Sequence, residues 1–217
     1  MAVEYSGDGL DRAPHPCPDR SHHLEALYRI STALSSASTL EHGLNAALDG
    51  VLAAFGCPVG VIRLLEPATG QLTLVARAGV HPELREDLER PVYAGDGPGG
   101  LSVQQRSLVF IPDLSASPYG ESVWARHGMR SFISAPLFSQ GMLLGCLNMA
   151  SPEVRGLTEA DREFLAILIN QIGMSVAVAE LYGAAQRKIE YLSALHECSR
   201  DVGPAPTIEH VEKIATE

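Results

Sequence analysis

Thr158 opens a stretch that runs without proline as far as Pro204. Thr158 is a good N-cap, and Glu159 and Asp161 place negative charge on the first turn, where the helix dipole favours it. The pattern predicts one helix from Thr158 to about Arg200. Roughly 42 residues at about 1.5 Å each would reach about 63 Å. A chain of 217 residues has no interior of that length. The far end of such a helix is expected to pair with another copy or lead to another domain. Its most apolar part, Phe164 to Ala179, is interrupted by Asn170 and Gln171 and is short for a bilayer, so it reads as a helix packed in protein.

Ahead of that helix two periods alternate. Leu24, Leu27, Ile30 and Leu34 recur at three- and four-residue spacing, one apolar stripe on one helix. Thr39 is a plausible N-cap for a second helix with Leu40, Leu44, Ala47, Leu48, Val51 and Leu52 inward. The period then changes to two. Val59, Val61, Arg63 and Leu65 alternate with Gly60, Ile62 and Leu64, and both faces are apolar enough for a central strand. A turn at Pro67, Thr69 and Gly70 leads into Gln71 to Ala78, predicting an antiparallel hairpin. After a short charged helix and the glycine-rich Gly95 to Gly100, strands are expected at Leu108 to Ile111, Ser131 to Phe138 and Met142 to Met149. A Ser-, Pro- and Gly-bearing loop, Ser115 to Gly128, carries a helical turn near Trp124. Such an order is α+β.

Lys and Arg number 16 against 26 Asp and Glu, a formal net charge of −10. That balance argues against broad electrostatic binding to nucleic acid or to an anionic membrane. Met1 to Gly9 lacks the layout of a signal peptide. Cys17, Cys57, Cys146 and Cys198 show no CxxC spacing, so neither a disulfide framework nor a zinc site is indicated, and a reducing, cytoplasmic compartment is expected. Residues 1–20, with Gly7, Gly9, Pro14, Pro16 and Pro18, read as a disordered leader, and His15, Cys17, His22 and His23 as parts of a solvated tail.

Leu24 to Ala47 and Leu192 to Ala215 align without gaps. Identical pairs are Leu24/Leu192, Ala26/Ala194, Leu27/Leu195, Ser31/Ser199, Thr39/Thr207, Glu41/Glu209, His42/His210 and Ala47/Ala215. Two amphipathic helices sharing common residue types would explain part of this. The sharper reading is a second domain of the same kind, beginning near Tyr191.

Several segments carry a family resemblance. Gly95-Asp96-Gly97-Pro98-Gly99-Gly100-Leu101 with Leu108 to Asp113, then Gly128 to Leu137, then Gly145-Cys146-Leu147-Asn148, and finally Leu157 to Asp161 resemble, in that order, the signatures of the GAF family. The resemblance covers about residues 22–182. It implies a GAF/PAS-like fold: a central antiparallel sheet of five to six strands, helices on one face, a ligand pocket on the other, and a long C-terminal signalling helix. The expected organisation is a leader at 1–20, a GAF domain at 21–182, a signalling helix or linker at 183–200, and the start of a truncated second domain at 201–217. Relatives sit as tandem, dimeric input modules in sensor histidine kinases, cyclic-nucleotide enzymes and transcription regulators, so an output domain further along the parent chain is expected.

Candidate site residues are Arg63 on the first strand, Gly97, Gly99 and Gly100 in the turn, Asp113 after the fourth strand, Trp124 and His127 in the loop, and Arg130, Phe132 and Ser134 leading into the fifth strand. Gly95, Gly97 and Gly100 also satisfy a dinucleotide fingerprint, but that needs a parallel βαβ unit, and the strands here read as antiparallel. The segment reads instead as a tight turn whose free N–H groups face the pocket, where a small anion or carbonyl could bind; simple turn geometry is the alternative. Trp124 lies in a loop expected to lid the pocket, with an aromatic stacking or capping role or ordinary packing as the two readings. Certain haem-binding relatives place an axial histidine near His127, yet a histidine there also occurs without haem. Bilin would need a cysteine in the loop around residues 115–130 or in a matching leader, where Cys17 is the one remote option, so neither group is expected and the cofactor stays unknown. Cyclic-nucleotide-binding relatives carry Asn-Lys and Phe-x-x-x-Asp-Glu, where this chain has Asn148-Met149 and Leu157, Asp161, Arg162. The clustered loop cysteines of methionine-sulfoxide-reducing relatives are absent, and no hydrolase elbow, zinc-protease helix or P-loop is present. The segment is therefore read as a non-enzymatic sensory input module, with no metal ligands, that dimerises through its terminal helices. A non-binding spacer in a tandem array and a haem-based sensor are the alternatives.

Overall fold

The computed structural model describes the backbone of Val3–Glu4 and of residues 20–201, with side chains over 23–193. Helix α1 spans Arg20–Ser36 and α2 Leu40–Phe55. The Thr39 hydroxyl accepts from the His42 N–H at the start of α2, and Gly56 closes that helix with φ 60°. The two helices pack closely, since a Cβ on Gly50 would lie 2.7 Å from Ile30 Cγ1.

Strands β2 (Val59–Glu66) and β3 (Gln71–Ala78) form the expected hairpin. Strands β5 (Ser131–Ser139) and β6 (Met142–Ser151) form a second. Its two connecting residues, Gln140 and Gly141, have φ 49° and 80°, the left-handed pair that suits the twist of a tight hairpin. With β1 (Val3–Glu4) and β4 (Val109–Ile111) the sheet order is β1-β4-β5-β6-β2-β3. Every pairing is antiparallel except β1 with β4, which is parallel. Strand β1 thus lies inside the segment read as a leader; the rest of that segment up to residue 19 lies outside the described residues, as do residues 202–217 of the expected second copy.

One face of the sheet presents Ile62, Ala76, Phe110, Ile133, Ala135, Leu137, Leu147 and Met149 to Ile30, Leu44, Leu48 and Val51 of α1 and α2 and to Phe164, Leu165, Leu168, Ile172 and Val176 of α6 (Glu159–Asp201). At the start of α6 the Thr158 hydroxyl accepts from the Asp161 N–H, and Asp161 Oδ2 accepts in return from Thr158 N–H and Oγ1, a reciprocal cap. The window Glu159–Ser193 is long and apolar enough for a membrane span by composition. Its Phe164, Leu165, Leu168, Ile172 and Val176 are buried against the sheet, while Ile167 and Met174 stay exposed. A first compact unit comprises Met1–Ala177 and a second Val178–Glu217. Within the second, Leu181, Tyr182, Ile189, Tyr191 and Leu192 are exposed.

The other face is covered by short helices: α3 (Pro82–Leu88), α4 (Gly97–Gln105), a 3-10 turn (Leu114–Ala116) and α5 (Val123–Arg126). Leu84, Leu88, Leu114 and Trp124 from these elements pack on Val59, Val61, Val109, Ile111, Phe132 and Ala150. Coverage of both faces explains why β2, β5 and β6 read as nearly continuous apolar runs.

Candidate functional site

Strand register sorts the side chains beneath the short helices into rows. Arg63 pairs with Cys146, and Cys146 with Pro136. Val61 pairs with Asn148, Asn148 with Ser134, and Ser134 with Val109. Val59, Ala150, Phe132 and Ile111 make the third row. The middle row places two polar side chains at the centre of an apolar face, where a bare polar group would be costly.

They are satisfied by each other and by α4. Ser134 Oγ lies 2.6 Å from Asn148 Oδ1 and 2.6 Å from Ser102 Oγ, and Ser102 Oγ is 3.1 Å from Gly99 O. All three side chains are at most 3% exposed. Asn148 Oδ1 is acceptor only, so Ser134 donates to it and Ser102 donates to Ser134, a directed chain. The glycines let α4 come this close. A Cβ on Gly99 would lie 2.7 Å from Asn148 Nδ2, and one on Gly100 would lie 2.4 Å from Tyr93 O. The backbone carbonyl of Asp96, the N-cap residue of α4, accepts from the Gly100 N–H at 3.0 Å, but its side chain does not cap the helix; the carboxylate accepts from the Tyr93 N–H at 2.9 Å.

Arg63 is 4% exposed. Its Nη1 donates to Leu72 O at 3.0 Å and its Nη2 to Leu88 O, tying β3 and the end of α3 to β2. Burial draws its pKa below the ordinary arginine value, yet a guanidinium stays charged in protein. No carboxylate within the described residues forms an ion pair with it. Beside it, burial pushes the Cys146 thiol up to about 12, against the opposing pull of Arg63, and burial raises Cys57 to about 11. Both cysteines are protonated core residues near neutral pH, not nucleophiles.

The structure brings together Arg63, Gly99, Gly100, Phe132 and Ser134 from the predicted set, with Trp124 against Phe132 at a ring separation of 5.4 Å. Trp124 is 3% exposed, packed over this face against Phe132. Gly97 is exposed at the start of α4. Asp113 and Arg130 form an ion pair with each other, and Asp113 caps the 3-10 turn through Ser115 N–H at 3.0 Å. Burial pushes the Asp113 carboxyl up, but the hydrogen bonds from Ser115 and Arg130 outweigh it and hold the group below its ordinary value. His127 stands against α3, its Nε2 3.1 Å from Asp87 Oδ2, apart from the Ser134 row. Ser102, Cys146 and Asn148 complete the face and were not among the predicted site residues. Alternation along β6 carries Asn148 to the same side as Cys146, so only the register with Ser134 was needed to find it.

Residues 37–177 match the family model of the GAF domain. This span is more than half of the chain, and the chain belongs to the GAF family. Among solved structures it is similar to the GAF domain of an Acinetobacter phosphoenolpyruvate-protein phosphotransferase, with 23% identity, a TM-score of 0.64, and 75% of this chain and 97% of that one covered. The free methionine-R-sulfoxide reductase of Neisseria meningitidis, in complex with its substrate, is 20% identical with a TM-score of 0.64 over 78% of this chain and 98% of that one. A domain described as that of a two-component sensor histidine kinase protein from Sinorhizobium meliloti 1021 is 17% identical with a TM-score of 0.56 over 69% and 99%. At these identities the likeness is one of fold. No curated protein matches the chain. As a GAF domain the segment is a signalling and small-molecule-binding module rather than an enzyme.

Proposed function

We propose that this domain is the sensory input module of a sensor histidine kinase, and that it binds a small molecule on the sheet face beneath α4 and α5. The observation that carries the reading is the buried Ser102–Ser134–Asn148 chain set beside Arg63 in an otherwise apolar face. A few convergent polar groups in apolar surroundings are the usual layout of a small-molecule site. A ligand carboxylate replacing Leu72 O or Leu88 O at Arg63 would supply the counter-charge that the guanidinium lacks among the described residues. The Sinorhizobium domain supports the kinase assignment by analogy of fold.

Output requires that the ligand favour one of two arrangements of the following helix. Ile167, Met174, Val178, Leu181 and Leu192 are exposed along α6. Their spacing follows the three-and-four rule of a helix–helix seam, and a second copy of this chain is the partner it fits. Thermal melts of the domain against a panel of small carboxylates, amino acids and cyclic nucleotides test the binding. A true ligand at about a hundred times its Kd adds about 2.7 kcal/mol, and Asn148→Leu should erase the gain. Should no compound raise Tm, the face is a packed core. The domain would then serve as a dimerisation spacer, a reading favoured by the contact of Leu84, Leu114 and Trp124 with Phe132 and its neighbours.

A further inference from the structure

The geometry points to a divalent-cation site of the zinc class on the outer side of the short helices, formed by His81, Glu83 and His127. One ligand atom from each of these residues lies within 4.8 Å of the other two. His81 is the N-cap of α3, Glu83 belongs to its first turn, and His127 closes α5. The positions of all three follow from the core. Leu84 and Leu88 anchor α3, and Trp124 anchors α5, on the same sheet residues. The two imidazole rings therefore face each other across a fixed gap, with centroids 5.1 Å apart and planes inclined by 59°.

A second observation points the same way. His127 Nε2 is 3.1 Å from Asp87 Oδ2, which leaves Nδ1 as the nitrogen with a lone pair in the neutral ring. A carboxylate behind an imidazole is the usual outer partner of a metal-bound histidine, fixing its tautomer and raising its basicity. Arg90 and Arg126 also lie against Asp87, at 3.2 and 3.6 Å, so this carboxylate is held in place from two further sides.

Two imidazoles and one carboxylate are borderline donors that suit zinc, and the exposure of His81 and Glu83 leaves a fourth position to water. Metal–ligand bonds of about 2.0–2.2 Å require the three atoms to draw closer than they stand. Glu83, exposed and long, has the freedom to move. Ligation through His81 Nδ1 would cost only the bond it accepts from Leu84 N–H, which at 3.4 Å is long. The bound ion would join α3 to α5, the elements that cover the sheet face. The site does not depend on the small-molecule reading and stands apart from the Ser134 row.

Titrating the full chain, free of any polyhistidine tag, with zinc against a fluorescent chelator and with cobalt by visible absorption tests the proposal. One equivalent should bind, with cobalt giving a four-coordinate spectrum. His81→Ala and His127→Gln should each abolish it. Asp87→Asn should weaken it about 10–100-fold while melting curves without metal show the variant folded. Simultaneous replacement of His15, His22 and His23 by Gln should leave it unchanged. Absence of binding to the unaltered chain, loss on replacing those three histidines, or full binding by folded His127→Gln would each overturn the assignment.

Discussion

Ser134→Ala should destabilise the domain by about 2 kcal/mol. In the native chain Ser134 donates to Asn148 Oδ1 and accepts from Ser102, each at 2.6 Å. Without the hydroxyl, Ser102 falls back on Gly99 O at 3.1 Å, but Asn148 Oδ1 loses its donor in a site that water does not reach. A stranded buried acceptor costs about 1–3 kcal/mol. For a domain of this size that is a fall in Tm of about 4–8 °C. Asn148→Leu should also destabilise, because the Ser134 proton loses its acceptor at 2.6 Å and is left with the longer contact to Gly99 O at 3.3 Å. The double variant replaces both partners with apolar groups, an exchange that is nearly neutral. It should therefore be at least about 1 kcal/mol more stable than the two single effects summed. Urea unfolding followed by the fluorescence of Trp124, the chain's one tryptophan, measures all four corners of the cycle. Single effects that add to within about 0.5 kcal/mol would refute the directed chain.

Trp124→Ala should cost about 3–5 kcal/mol, the range for a large buried aromatic, read in circular-dichroism melts because the fluorescent reporter is lost. In a Cys17→Ser, Cys198→Ser background, Cys57 and Cys146, with pKa values of about 11 and 12, should react with a thiol reagent at about pH 8 only as fast as the domain unfolds; rapid labelling in buffer would contradict their burial. Asp113 has a folded pKa below its unfolded one, so its ionised form contributes stability above about pH 4 that is lost as pH falls through the folded value. The stability difference between the native chain and Asp113→Asn should be full at about pH 6 and vanish at strongly acid pH; a difference that instead grows on acidification would show the sign to be wrong.

Much of the fold was legible because it rests on local period and local caps. The change from three-and-four spacing at Leu44 to Val51 to alternation at Val59 to Leu65 marks the boundary between α2 and β2. Thr39 and Thr158 cap the helices that follow them, as their position and chemistry predict. The site was legible only in part. Arg63, Ser134 and Phe132 were named as candidates on their own strands, but Ser102 reads as one more polar residue on a short helix. Asp113 and Arg130 were both named as candidates, but that they form an ion pair with each other was not foreseen.

Residue order alone determined that there would be two hairpins, a glycine turn leading into α4, and a helix too long for the domain's interior, because each depends on torsional preferences and apolar spacing within a few neighbouring residues. Tertiary structure decided which polar groups meet. Ser102, Ser134 and Asn148, or His81, Glu83 and His127, come from separate elements. Their approach depends on strand register, on the close seating of α4 allowed by Gly99 and Gly100, and on the packing of Leu84 and Trp124 over a shared core. A slip of one residue in register would turn every one of the strand side chains to the opposite face, and no local pattern within one segment encodes that choice.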